Sequence, residues 1–586
     1  MNFRDDINGL RAIAVLSVIL FHIDKSLLNG GYLGVDIFFV ISGFLITSNI
    51  LRSVQSNNFS YTDFYDRRLR RIIPALYFTL FICLVFALIA LVPYGLKSFG
   101  QELLAGTIGA NNILLYFTTG YWSTASEYKL LYHTWSLGVE EQYYFVIPII
   151  FILLKRHFSI KVVFWILFFL SWFACLLYNE NQELIFLMLP FRFWQLCAGS
   201  LLALYYEKIK SKNNALSIFG LFLILISFIS PYFLSQNSAV FSLIPVIGTI
   251  LVINYNSSDS LISKLLRFKY ISLIGLSSYS IYLFHQPVLA FLRFYFISDP
   301  PIIWKSFYTI LIIPLGILSY KFLENPFRSK TIVSAKLFYT LIIAISIFYI
   351  SFGFYLNASY GLQGTKFFSH LSYGNHPKQY NSLVRKQYKE TFTESKHKIL
   401  VIGNSFARDV FNSIKENTQN FDYEMIYLEN YHSNINVSRN LAKHADIVLW
   451  VSSSGMADSI EEEHSLLEKN YKIREELDDY ATDKYRFIGT KDYGINNNFV
   501  RFKSWDIIKD IYIDIPRNTV DANRIEKEFY AEKYIDLLAF TSENEQTRIF
   551  TDDQSFISFD TNHWTKSGAK YIGKFLIEEL NLPNRE

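Results

Sequence analysis

Cysteine is scarce and confined to one part of the chain. There are three, Cys83, Cys175 and Cys197, all inside apolar segments, and none follows Cys197. Disulfides therefore hold no part of the C-terminal half, and the three thiols read as small buried hydrophobes. Charge is also thin: 18% of the 586 residues are Asp, Glu, Lys or Arg, against 51% hydrophobic. That balance excludes a single soluble globule. No basic stripe appears in the polar half, which excludes nucleic acid as a partner. No internal repeat, low-complexity tract or set of metal ligands stands out. The first apolar run lacks a small-residue cleavage site and keeps Arg11 and His22, so it reads as a retained helix rather than a signal peptide.

What is present divides in two. From Ile7 to about Leu356 the chain is a series of long apolar runs; beyond that its composition is that of an ordinary soluble domain. Residues 1–356 carry 26 Lys+Arg against 16 Asp+Glu, and residues 357–586 carry 29 against 35. A basic membrane part is thus followed by an acidic soluble part. Hydropathy predicts eleven spans, at about 7–24, 32–52, 72–93, 137–154, 161–178, 184–206, 215–233, 239–254, 271–296, 302–322 and 335–356. With the N-terminus in the cytoplasm, the inner loops hold 18 Lys+Arg and the outer loops hold four: Lys25, Lys97, Lys129 and Lys305. The excess of basic residues inside supports that orientation, and an odd number of spans places the C-terminal domain outside. The fold class expected is therefore a polytopic α-helical membrane domain over 1–330 and a linking transmembrane helix over 331–356. A packing segment over 357–395 and an α/β sandwich over 396–586 complete it.

Arg11 and His22 are the most informative pair. Eleven residues at 100° each end about 20° past three full turns, so both side chains share a helix face, with a rise of roughly 16 Å between them. Ionisable groups at such depth are costly and line pathways or sites. Four further clusters accompany them. Gly34, Asp36, Ser42 and Gly43 run into the second span; Arg67, Arg68, Arg70 and Arg71 open the third. His133-Thr-Trp135-Ser136-Leu-Gly-Val-Glu140-Glu141-Gln142 opens the fourth, and Ser277 to Pro287, containing His285, lies in the ninth.

Together these clusters resemble the acyltransferase-three family of bacterial integral membrane proteins over about residues 4–330. Arg11 to His22 matches the family's first-helix motif and Arg68-Leu-Arg70-Arg71 its Arg-x-x-Arg motif. The resemblance implies O-acylation of extracytoplasmic glycans such as O-antigen, peptidoglycan or exported polysaccharide. A cytoplasmic acyl-CoA, in the simplest case acetyl-CoA, is then the donor substrate, with no permanently bound cofactor. In that frame Arg68 and Arg71 hold the donor phosphates. Arg11 reaches the pyrophosphate or the thioester carbonyl, and His22 is general base or transient acyl carrier. Arg67 and Arg70 serve equally well as inside anchors. Asp36 either orients a base, pairs with an arginine or caps its helix. Glu140 and Glu141 point about 100° apart, so at most one is expected to face the site. His133 and His285 are further membrane-site candidates, His285 balanced against a structural role. Gly34 and Gly43 read as helix-packing positions, and Arg192 as a partner for a glycan or a carboxylate.

In the soluble half, Lys398–Ile402 reads as a strand, Gly403-Asn404-Ser405 as the turn after it and Phe406–Glu416 as a helix. Ala445–Ser452 reads as a second buried strand and Lys570–Leu580 as a closing amphipathic helix. Asp560-Thr-Asn-His563 places a carboxylate three residues before an imidazole. Ser405 as nucleophile, His563 as base and Asp560 as its orienting partner resemble the SGNH hydrolase family. Asn404 stands where that family has Asp, and Phe406 where it often has His. No oxyanion donor is evident; Gly455 and the stretch from Gly494 to Asn496 are the candidates. The sequence leaves two other readings open: a glycan deacylase, because Ser-His-Asp chemistry also runs with water, and a transporter of lipid-linked glycan with an outer binding domain. Partners expected on the first reading are acyl-CoA, a polysaccharide acceptor and the lipids of the bacterial inner membrane.

Overall fold

The computed structural model describes residues 4–118, 126–154, 159–178, 181–229, 238–257, 260–297, 300–363, 365, 377–393, 397–418, 422–429, 435–451, 484–494, 497–503, 507, 510–558 and 560–582. They form two compact units, Met1–Leu91 with Gly95–Gly361, and Leu362–Glu586 with Val92–Tyr94.

The first unit is all helical. Among the described residues, six helices are long and apolar enough to cross a membrane: Asp5–Ile23, Gly31–Gln55, Tyr61–Ala90, Ile160–Leu177, Ile302–Arg328 and Ala335–Ala358. Hydropathy predicts eleven spans, and at several of the others the helices are short or divided. Asn214–Ser227 and Leu243–Tyr255 have 14 and 13 residues. At 1.5 Å per residue each reaches only about 20 Å, short of a hydrocarbon core of about 30 Å. The ninth expected span is two helices, Lys269–Leu276 and Ser278–Tyr295, broken at Ser277. The sixth is likewise divided at Met188, between Gln182–Leu187 and Leu189–Ile209. The described residues of the connection 94–136 are largely helical, as Pro93–Thr107 and Asn111–Thr118.

Four helices of this unit build the site: α1 (Asp5–Ile23), α2 (Gly34–Gln55), α3 (Tyr61–Ala90) and α4 (Trp135–Leu154). Ser60 caps α3 by accepting from the Asp63 N–H. Helix α2 packs on Leu189–Ile209 backbone to backbone. A Cβ added at Gly43 would stand 2.0 Å from the Leu196 carbonyl, and one at Gly199 would stand 2.0 Å from the Val40 carbonyl. Small residues are required at such a crossing. Thr47 Oγ1 donates to Ser200 Oγ at 2.9 Å across the same interface. The cysteines are buried and unpaired, as their apolar surroundings implied.

The second unit is α/β. Its main sheet is parallel, in the order β2 (Tyr423–Leu428), β1 (His397–Gly403), β3 (Ile447–Val451), β4 (Tyr485–Ile488), β6 (Tyr534–Ile535). Strand β5 (Tyr512–Asp514) joins β7 (Ser542–Glu543) and β8 (Gln546–Arg548) in a small antiparallel sheet. Ile399 to Ile402 of β1 are all buried, as a central parallel strand covered on both faces requires. Helices α5 (Ser405–Asn417) and α6 (Lys566–Glu579) pack on each other. The chain leaves β1 toward β2 on one side, and β3 lies on the other. The carboxyl end of β1, where Ser405 follows, is therefore the switch point at which open α/β sheets bind ligands.

Candidate functional site

Three cavities line up chemistry in the helical unit. The first, about 550 Å³, is lined by Asn49, Ser53 and five arginines: Arg52, Arg67, Arg68, Arg71 and Arg328. Such a mouth selects anions, and guanidinium forks suit phosphates. The second, about 80 Å³, is lined by Arg11, Arg68, Arg71, Glu140 and Glu141 together with Ser42, Ser136, Tyr144, Tyr279 and Tyr282. Arg68 and Arg71 belong to both, so the guanidinium row continues from the mouth to Arg11. The Arg68 guanidinium lies 5.8 Å from the Phe64 ring centroid and 5.6 Å from that of Tyr144, which fixes it by cation–π contact. Ser42 Oγ donates to Glu140 Oε1 at 2.6 Å. The expectation that only one of the adjacent glutamates faces the site is corrected here: both line the same cavity. The cavity spans enough of the turn for side chains 100° apart to reach its wall.

Arg70 is different. Its guanidinium is buried, bonds Asp66 at 3.1 Å and the carbonyls of Phe327 and Val333 at 3.2 and 2.8 Å, and lies 4.5 Å from the Phe338 ring centroid. It ties α3 to the segment before Ala335–Ala358 and lines neither arginine cavity. Arg67, read alongside it as an anchor, stands in the mouth.

His22 lines the third cavity, about 300 Å³, with His133, Lys25, Glu127, Gln286 and the aromatic side chains Phe21, Tyr32, Tyr132, Trp135, Phe186 and Tyr282. The His22 Nδ1–H donates to the Val18 carbonyl at 2.8 Å, so the neutral ring presents Nε2 as its base. His285 lies against it, ring centroids 5.0 Å apart, and His133 lies 5.3 Å from His285. The His285 Nδ1–H donates to the Tyr282 carbonyl, and its buried Nε2 has no hydrogen-bond partner among the described residues. The sequence names His22 with His133 and His285 as further candidates, and the fold brings the three rings together. Arg293, not singled out from sequence, donates to the His22 carbonyl at 2.9 Å and stands 3.9 Å from Glu127, which in turn pairs with Lys25 at 2.8 Å.

Asp36 lies outside these three cavities. It accepts from Arg192 at 3.3 Å and from Gln195 at 3.5 Å, both groups being buried. Of the readings left open, pairing with an arginine is the one realised, and Arg192 meets a carboxylate. A Cβ added at Gly34 would stand 2.4 Å from the Ala14 carbonyl, which accords with a packing position.

In the α/β unit, Gly403 has φ +144°, and a Cβ there would meet the Val451 carbonyl at 2.4 Å. Only glycine suits the step from β1 into α5. Asn404 caps α5, its Oδ1 accepting from the Phe406 N–H at 2.9 Å, so in this chain the residue before Ser405 serves the helix start. Asp560 accepts three times from its own turn: from the Asn562 N–H at 3.1 Å, the His563 N–H at 2.7 Å and His563 Nδ1 at 2.8 Å. Thr561, between them, has φ +76°, uncommon for a β-branched residue and a form of strain that clusters at functional sites. Burial lowers the affinity of the His563 imidazole for a proton, but the Asp560 carboxylate outweighs it and the pKa is raised above its ordinary value. Burial acts upward on Asp560, yet His563 and the two N–H groups hold it below the usual carboxylate range. The Phe406 ring, next to Ser405, stands 6.1 Å edge-on from the His563 ring, so both candidate residues occupy one end of the sheet. The Gly494 N–H donates to Asp492 Oδ1 at 2.8 Å, which makes it part of a turn rather than an oxyanion donor. Gly455, Ile495 and Asn496 lie outside the described residues.

A family model described as an acyltransferase domain matches residues 4–321, more than half of the chain. The chain is 28% identical over 361 residues to the "Putative O-acetyltransferase SAS0844" of Staphylococcus aureus strain MSSA476, a match covering 57% of this chain and 58% of that protein. It is also 28% identical over 361 residues to "O-acetyltransferase OatA" of Staphylococcus aureus strain NCTC 8325 / PS 47, covering 55% and 57%. The chain thus spans a little over half the length of these relatives. No solved structure matches it. A helical unit holding the first-helix Arg11 and His22, the paired Arg68 and Arg71 and a matching stretch of 4–321 belongs to the acyltransferase-three family.

Proposed function

We propose that this protein moves an acyl group, in the simplest case acetyl, from a cytoplasmic acyl-CoA across the bacterial inner membrane to hydroxyl groups of an extracytoplasmic glycan. The observation that carries the reading is the unbroken guanidinium row, from a five-arginine mouth through Arg68 and Arg71 to Arg11. Coenzyme A brings several phosphate charges to one end of the donor and a neutral thioester to the other. Arginines at the mouth neutralise the phosphates, while Glu140 and Glu141 discourage them from travelling deeper. The thioester end then reaches toward His22, whose Nε2 is its basic nitrogen. Attack of that nitrogen on the carbonyl forms an acyl-imidazole and expels the CoA thiolate. Alternatively, Nε2 takes the proton of an attacking hydroxyl.

On the outer side, Ser405 is the final acyl carrier. Its Oγ attacks the acyl carbonyl as His563 takes the hydroxyl proton; His563 passes that proton to the group that carried the acyl unit as its bond to the acyl carbon breaks, and Asp560 holds the imidazole in the tautomer that permits this. A sugar hydroxyl then attacks the acyl-serine as the neutral His563 takes its proton, and His563 returns that proton to Ser405 Oγ as the bond from the acyl carbon to the serine breaks. The names of the Staphylococcus relatives, both O-acetyltransferases, support an O-acetyl product.

The test is mass spectrometry of envelope polysaccharide from cells carrying the wild-type chain, His22→Ala or Ser405→Ala at matched protein levels. Loss of one glycan O-acyl modification in both variants is expected. Unchanged acylation in His22→Ala overturns the membrane half, and unchanged acylation in Ser405→Ala overturns the outer half.

A further inference from the structure

We propose that Asp409 and Lys491 form a buried positioning pair that sets the place and the charge of His563 relative to Ser405; the proposal rests on the reading of Ser405 as nucleophile. Asp409 stands four residues after Ser405 on α5, one turn along on the same face. Its carboxylate and the Lys491 ammonium bond each other with side chains 0% and 1% exposed. Two charges taken fully out of water are costly, and a fold holds them only with further partners. Asp409 has them. Its Oδ1 accepts from Asn381 Nδ2 at 2.5 Å, and Oδ2 accepts from the backbone N–H of Trp564, next to His563, at 3.3 Å. The ammonium lies 4.0 Å from the Trp564 ring centroid and 4.6 Å from that of Phe406, the residue after Ser405. Each charge thus touches a neighbour of a proposed catalytic residue.

The segment carrying Lys491 is stitched to the His563 loop twice more. The Tyr493 N–H donates to the Thr561 carbonyl at 2.9 Å, and Trp564 Nε1 donates to the Tyr493 hydroxyl at 2.6 Å. Three strand-end segments from distant parts of the chain therefore meet at this pair: the start of α5, the segment after β4 and the loop before α6. Besides Asp560 of its own turn, Asp409 from α5 and Lys491 from the segment after β4 act on His563. The Asp492 carboxylate turns instead to the Gly494 N–H and the Thr519 hydroxyl. Asp409 raises the proton affinity of His563, and Lys491 lowers it. A pair with a purely structural role would slow the reaction on removal without moving its pH dependence.

The experiment measures the rate at which a fluorophosphonate probe labels the full-length protein in detergent, from pH 5 to 9, with Ser405→Ala as background. The variants are Asp409→Asn, Lys491→Met and Lys491→Arg, each checked for an intact thermal transition. Labelling is expected to slow by up to about a hundredfold in the first two, the scale of a misplacement near 1 Å. The acidic limb should move to lower pH in Asp409→Asn, to higher pH in Lys491→Met, and hardly at all in Lys491→Arg. Equal losses with no shift of the limb, or wild-type profiles in all three, overturn the proposal. If a charge-removing variant fails to fold, a limb displaced in Lys491→Arg also overturns it, because that variant keeps the charge. Wild-type labelling no faster than the Ser405→Ala background overturns the underlying reading of Ser405, and is recognisable as such before any variant is compared.

Discussion

Arg11 and His22 share a face of α1 but line different cavities, and the residues common to the two are Val35 and Tyr282. The Tyr282 hydroxyl is held there, 2.8 Å from Ser136 Oγ and donating to the His133 carbonyl at 2.9 Å. Binding and chemistry are therefore separable by mutation. His22→Ala should reduce acyl transfer by roughly 10²- to 10⁴-fold, the range for a lost general base, with donor affinity kept. Arg11→Ala should weaken binding of a non-transferable acyl-CoA analogue. Calorimetric titration of both variants checks this, and equal loss of affinity in the two would count against separate roles.

Neighbouring arginines should differ in kind. Arg70→Ala breaks a buried pair with Asp66 and should lower stability by about 3 kcal/mol, the lower end for such pairs because Lys330 still faces Asp66 at 3.1 Å. Arg71→Ala should leave the thermal transition in place and raise the KM for donor. Melting curves and donor titrations on the same preparations distinguish the two.

The pH dependence has a definite sign. His563 acts as base only when neutral, and its pKa lies above the ordinary value of about 6.5. Serine labelling should therefore rise with pH through a midpoint above that value. Asp560→Asn removes the largest raising influence and should move the midpoint down. The same raised pKa contributes stability that is complete below about 6.5 and is lost as pH rises through the folded-state value. A midpoint unmoved by Asp560→Asn would contradict the assignment.

Gly403→Ala tests the turn before Ser405. A positive φ and a carbonyl 2.4 Å from the new methyl should cost about 1–3 kcal/mol and displace the serine. Loss of probe labelling together with a lowered melting temperature is the expected result.

Local features were legible in the sequence because their chemistry is local. The strand, the Gly-Asn-Ser turn, the helix and Asp-x-x-His stand within short windows, and each is found where those windows placed it. Arg11 and His22 were readable from helical periodicity alone. What escaped depends on pairs distant in sequence. Arg328 reaches the mouth from beyond the tenth expected span, and Lys491 meets Asp409 across 82 positions. Neither has a local pattern to betray it. Periodicity also misjudged Glu140 and Glu141, since an angle about a helix axis says nothing about how wide a cavity the neighbouring helices leave. The break at Ser277 was hidden because the apolar run continues through it on both sides.

The crossing of α2 with Leu189–Ile209 has a mechanical corollary. With main chain against main chain at both Gly43 and Gly199, there is no room for even one added methyl group, so α2, which carries Val35 and Ser42 to the cavities, is braced by its neighbour. Tyr282, which the arginine-lined and histidine-lined chambers share, rides instead on a helix that starts at Ser278 directly after a break. A braced helix and an interrupted one thus frame Val35 and Tyr282, the residues common to the two chambers.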